Sequence, residues 1–327
     1  MNSPGSSQAA LVATLGGFAA ILLWSTSIAL VRSTTEAFGV LGAAAAAYTV
    51  AGGLSLARLA ASRTRRARVR RLPKNYLIGC GSAMAAYVLT SYLAFGSARS
   101  RQQTLEVALV HYLWPALTVL FSVIFLRVSA RRWLFPATLL CLAGVELGMR
   151  PTDGVGAARL LENLAEHPAA YALALLAAIA WALYSTLTRR WASAEGDGGI
   201  DVFLVGTGAL VATAFLLSGA TMPTPSLRAA VEAALLGAFT WISYTLWDQA
   251  MRRGNLILVV IASYFTPLLA IGFAGLYLRV APPPILWLGC ALLVAGSFLS
   301  WWSVRPSADS PEAPERLRKS SPRCTGG

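Results

Sequence analysis

SYLAFGSARSRQQTLEVALVHYLWPALTVLFSVIFLRV, from Ser91 to Val128, returns 152 positions later as SYTLWDQAMRRGNLILVVIASYFTPLLAIGFAGLYLRV, from Ser243 to Val280. Ser91-Tyr92 recurs as Ser243-Tyr244. Tyr112 and Pro115 recur as Tyr264 and Pro267, and Leu126-Arg127-Val128 as Leu278-Arg279-Val280. Extended to Ala143-Gly144 and Ala295-Gly296 and beyond, the ungapped match over 91–147 and 243–299 holds 17 identities in 57 positions. Each copy covers three long apolar segments, and an odd number of such segments separates the copies. In a bilayer the second copy is therefore upside down relative to the first. Inverted repeats of this kind mark secondary transporters, whose substrate site lies between the halves near the membrane midplane.

Composition points the same way. Of the 327 residues 56% are hydrophobic and 13% charged, where a soluble domain carries about 25% charged residues. The net charge of +13 does not imply nucleic acid as a partner. The arginines sit in short clusters between apolar runs of roughly 20 residues rather than along one face of a soluble fold. Cys80, Cys141 and Cys290 fall inside apolar segments and Cys324 in the C-terminal tail, with no CxxC spacing. Neither a disulfide framework nor a metal site is expected, and no cofactor. The run from Leu11 to Val31 has no basic residue before it. It is too long for a signal-peptide core and reads as a retained helix.

Ten segments are apolar enough to cross the hydrocarbon core: 11–31, 38–60, 76–96, 105–126, 133–149, 169–188, 201–219, 229–250, 256–278 and 285–304. The expected fold class is an all-α integral membrane protein, ten transmembrane helices arranged as two inverted five-helix repeats. The first repeat runs over 11–149 after an N-terminal cytoplasmic segment, 1–10. The second runs over 169–304, joined by a connector, 150–168, that carries an amphipathic turn, and followed by a disordered cytoplasmic tail, 305–327. With both termini on one side, that side holds 19 Lys and Arg against seven on the other. The richer side is cytoplasmic by the positive-inside rule. The run Arg63 to Arg71 is the largest contributor and reads as a topology anchor. Arg127 and its counterpart Arg279 then face opposite sides. Trp24 to Arg32 also aligns with Trp181 to Arg189 at an offset of 157.

Two features nominate a site. Pro115 and Pro267 fall near the middle of the fourth and ninth segments. There a proline removes one backbone hydrogen bond and frees the carbonyl four residues back, that of His111 or Ser263. Freed backbone at membrane depth is tolerated only where it is packed or lines a cavity, so this pair is expected to supply hinges. The second feature is aromatic. Trp24, Trp181 and Trp241 sit near segment centres, where interfacial belts do not place tryptophan. Tyr87, Tyr92, His111, Trp114, Tyr184, Ser185, Tyr244, Ser263 and Tyr264 join them as candidate substrate-binding residues. Polar tips on an otherwise apolar wall suit a flat apolar side chain, and the ring faces suit an ammonium group. Glu106, Glu146 and Asp248 are the acids nearest the membrane region. No HExxH, membrane Asp pair or Ser/His dyad occurs, so no catalytic residue is nominated and the chain is not expected to be an enzyme. No ring of charges or filter-like loop suggests a channel.

His111-Tyr-Leu-Trp-Pro-Ala-Leu-Thr118, Ile179-Ala-Trp-Ala-Leu-Tyr-Ser185 and Ser263-Tyr-Phe-Thr-Pro-Leu268 resemble the drug/metabolite transporter superfamily, and within it the EamA-like bacterial aromatic amino acid exporters. The resemblance runs over nearly the whole chain except the tail. One departure is the turn after the fourth segment, Leu126-Arg-Val-Ser-Ala-Arg131, where many members carry a Gly-Glu-Arg-like turn. The resemblance implies a multi-pass protein of the bacterial inner membrane that exports aromatic and other neutral amino acids. Its partners would be that small-molecule substrate and the lipid bilayer, with the chain a monomer or weak dimer. Export of other metabolites or drugs is the main alternative, and a non-transporting scaffold or channel the next.

Overall fold

The computed structural model describes residues 4–126, 129–149, 166–191 and 199–304. Arg127, most of the connector 150–168, residues 196–198 and the tail 305–327 lie outside the described residues, and with them the expectations placed there. Among the described residues the fold is helical, apart from one isolated antiparallel bridge between Ala130 and Val304. Seven helical stretches are long and apolar enough to span a bilayer, and two shorter apolar helices, Leu134–Gly148 and Thr266–Leu278, accompany them.

The first element, α1, runs from Pro4 to Ala61 and is broken at a single residue, Gly39, with φ 70° and ψ 170°. Two separate segments, 11–31 and 38–60, were expected around a connector. The connector is itself helical, because its polar side chains bond back along the helix. Thr34 Oγ1 donates to the Leu30 carbonyl at 2.7 Å, and Arg32 pairs with Glu36 one turn on at 2.9 Å. Reversal of direction is left to Gly39, where positive φ costs a residue without Cβ nothing. Next come α2 (Arg63–Val69), capped by the Ser62 side chain, and one π turn (Tyr76–Cys80) leading into α3 (Gly81–Ser97).

The fourth and ninth segments are each two helices. In the fourth, α4 (Arg101–His111) gives way to α5 (Trp114–Leu126) through Tyr112 and Leu113. The ninth breaks at the repeat-equivalent place, Tyr264 and Phe265, between α10 (Leu256–Ser263) and α11 (Thr266–Leu278). The remaining helices are α6 (Leu134–Gly148), α7 (Pro168–Trp191), α8 (Gly199–Leu217), α9 (Leu227–Arg253) and α12 (Pro284–Ser303).

One close backbone approach in this bundle obeys the sequence repeat. A Cβ on Gly144 of α6 would lie 2.6 Å from the Gly289 carbonyl oxygen and 2.8 Å from the Leu293 nitrogen on α12. A Cβ on Gly296 of α12 would lie 2.9 Å from the Ala137 oxygen and 2.8 Å from the Cys141 nitrogen on α6. Each of these residues is 152 positions from its counterpart, so the contact is a local two-fold. Small residues are what such an approach requires in a membrane, where packing and not hydrophobicity holds helices together.

Charged groups gather at two ends. At one, Arg58 of α1 makes a bidentate pair with the fully buried Asp201 of α8 and donates to Thr245 Oγ1 of α9 at 3.0 Å, while Arg65 reaches the same carboxylate at 3.2 Å. The bridge between Ala130 and Val304 and the bond from Arg190 to the Phe125 carbonyl (3.0 Å) belong to helix ends of the same set. At the other end Arg101 binds Glu36 at 2.7 Å and the Leu278 carbonyl at 3.0 Å, and Ser33 donates to Glu232, which also accepts from Arg228 and Tyr277.

Two predictions come from this packing. Gly144→Leu or Gly296→Leu should lower the melting temperature in detergent by several degrees, since overpacking costs about 1–3 kcal/mol or more. Ala143→Leu, on the exposed side of α6, should not. Asp201→Asn leaves two partly exposed guanidinium groups without their carboxylate and should lower the melting temperature, by less than the about 3–5 kcal/mol of a fully buried orphan charge. The pair Asp201→Leu with Arg58→Met should regain much of that. Equal stability of the single and double variants in thermal unfolding would refute the ion pair's role.

Candidate functional site

Between the helices lies a pocket with about 90 Å³ open to the centre of a water molecule, room for several waters. Its walls follow helical periodicity. From α1 come Trp24, Ser27, Ile28 and Val31, at steps of three and four, and Tyr48 from beyond the Gly39 corner. From α3 come Tyr87, Val88, Ser91, Tyr92 and Phe95, again one face. The α4–α5 break presents His111, Tyr112 and Trp114 together, where an unbroken helix would turn Tyr112 about 160° away from Trp114. Trp181 enters from α7, Leu236, Thr240 and Tyr244 from α9, and Thr266 from the start of α11.

Trp181 is the hub. Its ring centroid lies 4.8 Å from that of Tyr87, 5.2 Å from Tyr184, 5.7 Å from Tyr244, 6.0 Å from Trp24 and 6.1 Å from Trp114. The contacts with Trp24 and Trp114 are edge-to-face, the arrangement that ring quadrupoles favour. Three repeat-related pairs meet here: Trp24 with Trp181, Tyr92 with Tyr244, and Trp114 with Thr266. The pocket thus sits where the two copies face each other.

Seven of the twelve expected substrate-binding residues line it: Trp24, Tyr87, Tyr92, His111, Trp114, Trp181 and Tyr244. The other five lie elsewhere. Tyr184 packs behind Trp181 and against Phe203, and Ser185 is on the same helix, outside the lining. Trp241 lies under the Arg58 guanidinium at 5.0 Å, with its indole nitrogen buried and without a hydrogen-bond partner. Tyr264 packs on Phe298, and the Ser263 carbonyl accepts from Thr266 Oγ1 at 2.6 Å. Pro115 and Pro267 are each the second residue of a new helix, α5 and α11, where a missing N–H costs little. Sequence reasoning passed over Ser27, Ile28 and Val31, though three- and four-residue steps from Trp24 reach them. It also passed over Tyr48, which follows the alanine run 43–47.

The polar groups of the lining are hydroxyls, indole N–H groups and one imidazole, and among the described residues no Asp, Glu, Lys or Arg contributes to it. The Ser91 hydroxyl lies 3.5 Å from His111 Nε2, while His111 Nδ1 is buried with no hydrogen-bond partner. Thr240 Oγ1 donates to the Leu236 carbonyl at 2.7 Å, and Thr266 spends its proton on Ser263. Glu106 is bound instead by Tyr171 at 2.9 Å. No group of three His, Cys, Asp or Glu side chains able to hold a metal occurs among the described residues.

An uncharged aromatic pocket inside a bundle of membrane-spanning helices is the build of a small-molecule transporter. Known proteins agree. The EamA-like transporter family matches residues 168–302. The aromatic amino acid exporter YddG of Escherichia coli strain K12 is 32% identical over 296 residues, 90% of this chain and 98% of that protein. YddG of Salmonella typhimurium strain 14028s is 33% identical over 297 residues, again 90% and 98%. YddG of Ancylobacter novellus is 32% identical over 288 residues, 87% and 95%. A solved crystal structure, 29% identical, superposes with a TM-score of 0.64 over 89% of this chain and 97% of that one. The chain belongs to the EamA-like transporter family, within the drug/metabolite transporters. It is a multi-pass protein of the bacterial inner membrane and a transporter, not an enzyme.

Trp181→Ala removes the ring on which five others rest and should cost about 3–5 kcal/mol, read as a fall in melting temperature. Trp181→Phe should recover part of it. A melting temperature unchanged by the alanine variant would show that the rings do not hold this region together.

Proposed function

We propose that the chain exports aromatic and other neutral amino acids, taking them up in the Trp181 pocket. The observation that carries this reading is the composition of that pocket: rings on every side, hydroxyls and one imidazole between them, and no charged side chain among the described lining. Such a wall suits a molecule with zero net charge and a flat apolar side chain. The named activity of the YddG relatives supports the same substrate class.

In this reading the membrane is crossed ten times. The corner at Gly39 divides α1 into two crossings, and α4 with α5, and α10 with α11, make one broken crossing each. Residues 11–149 and 169–304 are inverted halves, supported by the two-fold contact at Gly144 and Gly296. Transport proceeds by alternating access, the halves rocking about the pocket, with the breaks before Pro115 and Pro267 as the places that bend. Both termini are cytoplasmic, in keeping with the Lys/Arg count, and the unit is a monomer or weak dimer. Tyr184, Ser185, Trp241, Ser263 and Tyr264 form a second layer that the substrate meets as the halves move.

Counterflow of labelled tryptophan in proteoliposomes tests the proposal. Exchange should be fast, suppressed by excess phenylalanine and untouched by excess lysine. Trp24→Ala and Tyr244→Ala should each lower the rate about tenfold or more, the order of a lost aromatic contact together with the packing beneath it. Vesicles that exchange other metabolites or drugs but no aromatic amino acid would overturn it.

A further inference from the structure

We propose that the pocket distinguishes the two ends of an amino acid backbone: His111 Nδ1 donates to the substrate carboxylate, and the Thr240 and Thr266 oxygens accept from its ammonium group. This rests on the amino acid reading of the site and extends it to orientation. His111 is nine-tenths buried, at 7% exposure, and lines the pocket. Its Nδ1 has no hydrogen-bond partner, an arrangement that costs about 1–3 kcal/mol for a buried polar group. A ligand that supplies the missing partner recovers this.

The sign of that partner follows from the hydroxyls. Ser91 lies against Nε2 at 3.5 Å, a contact in which either group can be the donor; in the proposed state the hydroxyl donates. A neutral imidazole that accepts at Nε2 carries its proton on Nδ1. The open position is therefore a donor, and a carboxylate oxygen is the acceptor that an amino acid brings. Thr240 and Thr266 are in the opposite condition. Each has committed its only proton to a helix carbonyl, at 2.7 and 2.6 Å, so each oxygen has lone pairs left and nothing left to donate. Ammonium N–H groups fit there, assisted by the faces of the surrounding rings. With no charged side chain in the described lining, a zwitterion read by one donor and two acceptors brings no net charge into the pocket.

The test uses the full-length transporter in proteoliposomes. Competition with labelled tryptophan is measured for tryptophan, for tryptamine (no carboxylate) and for indole-3-propionate (no ammonium group). His111→Phe keeps a ring of similar shape without the donor. It should weaken tryptophan and indole-3-propionate about tenfold and leave tryptamine unchanged. His111→Asn, whose amide reaches the place of Nδ1, should restore much of the loss. Thr240→Val and Thr266→Val should weaken tryptophan and tryptamine and spare indole-3-propionate. Equal weakening of all three compounds by both His111 variants would make His111 a packing residue and overturn the proposal. Selective loss of tryptamine in His111→Phe would reverse the assigned orientation and overturn it too. Failure of the amino acid reading itself shows differently, as no tryptophan exchange by the wild-type protein.

Discussion

A backbone carbonyl that loses its helical partner inside hydrocarbon has no water to replace it. The chain breaks an apolar helix twice beside the pocket, and much of the architecture answers that constraint. At the second break the Ser263 carbonyl takes the Thr266 hydroxyl at 2.6 Å. Around both breaks turn-type backbone bonds stand in for the helical ladder, Leu113 to Val110 and Phe265 to Ala262, each at 3.1 Å. The reward is placement. In an intact helix Tyr112 would point about 100° away from His111 and about 160° away from Trp114. The break instead lets His111, Tyr112 and Trp114 all face the pocket. A proline at the second position of the helix that follows costs little there and discourages the two helices from merging.

The repeat made much of this legible. Tyr92 with Tyr244, and Trp24 with Trp181, are related by offset in the sequence and stand around one pocket in the fold. The break at Tyr112 and Tyr264 was legible for the same reason, although the prolines begin helices rather than bend them. Gly144 and Gly296 stood out only as an identity, yet they make the symmetric contact between α6 and α12.

Where the reading went astray, side-chain direction is the cause. Trp241 and Tyr244 are three residues apart and share a broad face, but the rotation between them is about 60°. That is enough to turn Tyr244 to the pocket, in line with Leu236 and Thr240, and Trp241 aside, beneath Arg58. Spacing alone does not say which of two neighbours on a wide stripe faces the seam. The stretch 32–37 misled for another reason. Its Arg, Ser, Thr and Glu residues look like a loop by composition, yet their side chains satisfy one another and the helix they stand on, and Gly39 alone makes the corner.

The two charged ends differ in a way that bears on the proposed rocking of the halves. Both fasten residues of the first half to residues of the second: Arg58 to Asp201 and Thr245 at one end, Arg101 to the Leu278 carbonyl and Ser33 to Glu232 at the other. Opening at either end separates the groups there. Asp201 is wholly buried between two arginines, and parting it from them leaves a charge that must be rehydrated at once. At the opposite end Glu36 and Arg101 already touch water, with side chains 32% and 44% exposed, and exposed pairs hold by only about 0–1 kcal/mol. That pair is the looser contact, although Glu232 at the same end is buried and held by Ser33. If the halves rock as proposed, parting the end that carries Asp201 requires water to reach a carboxylate that is wholly buried in the closed arrangement.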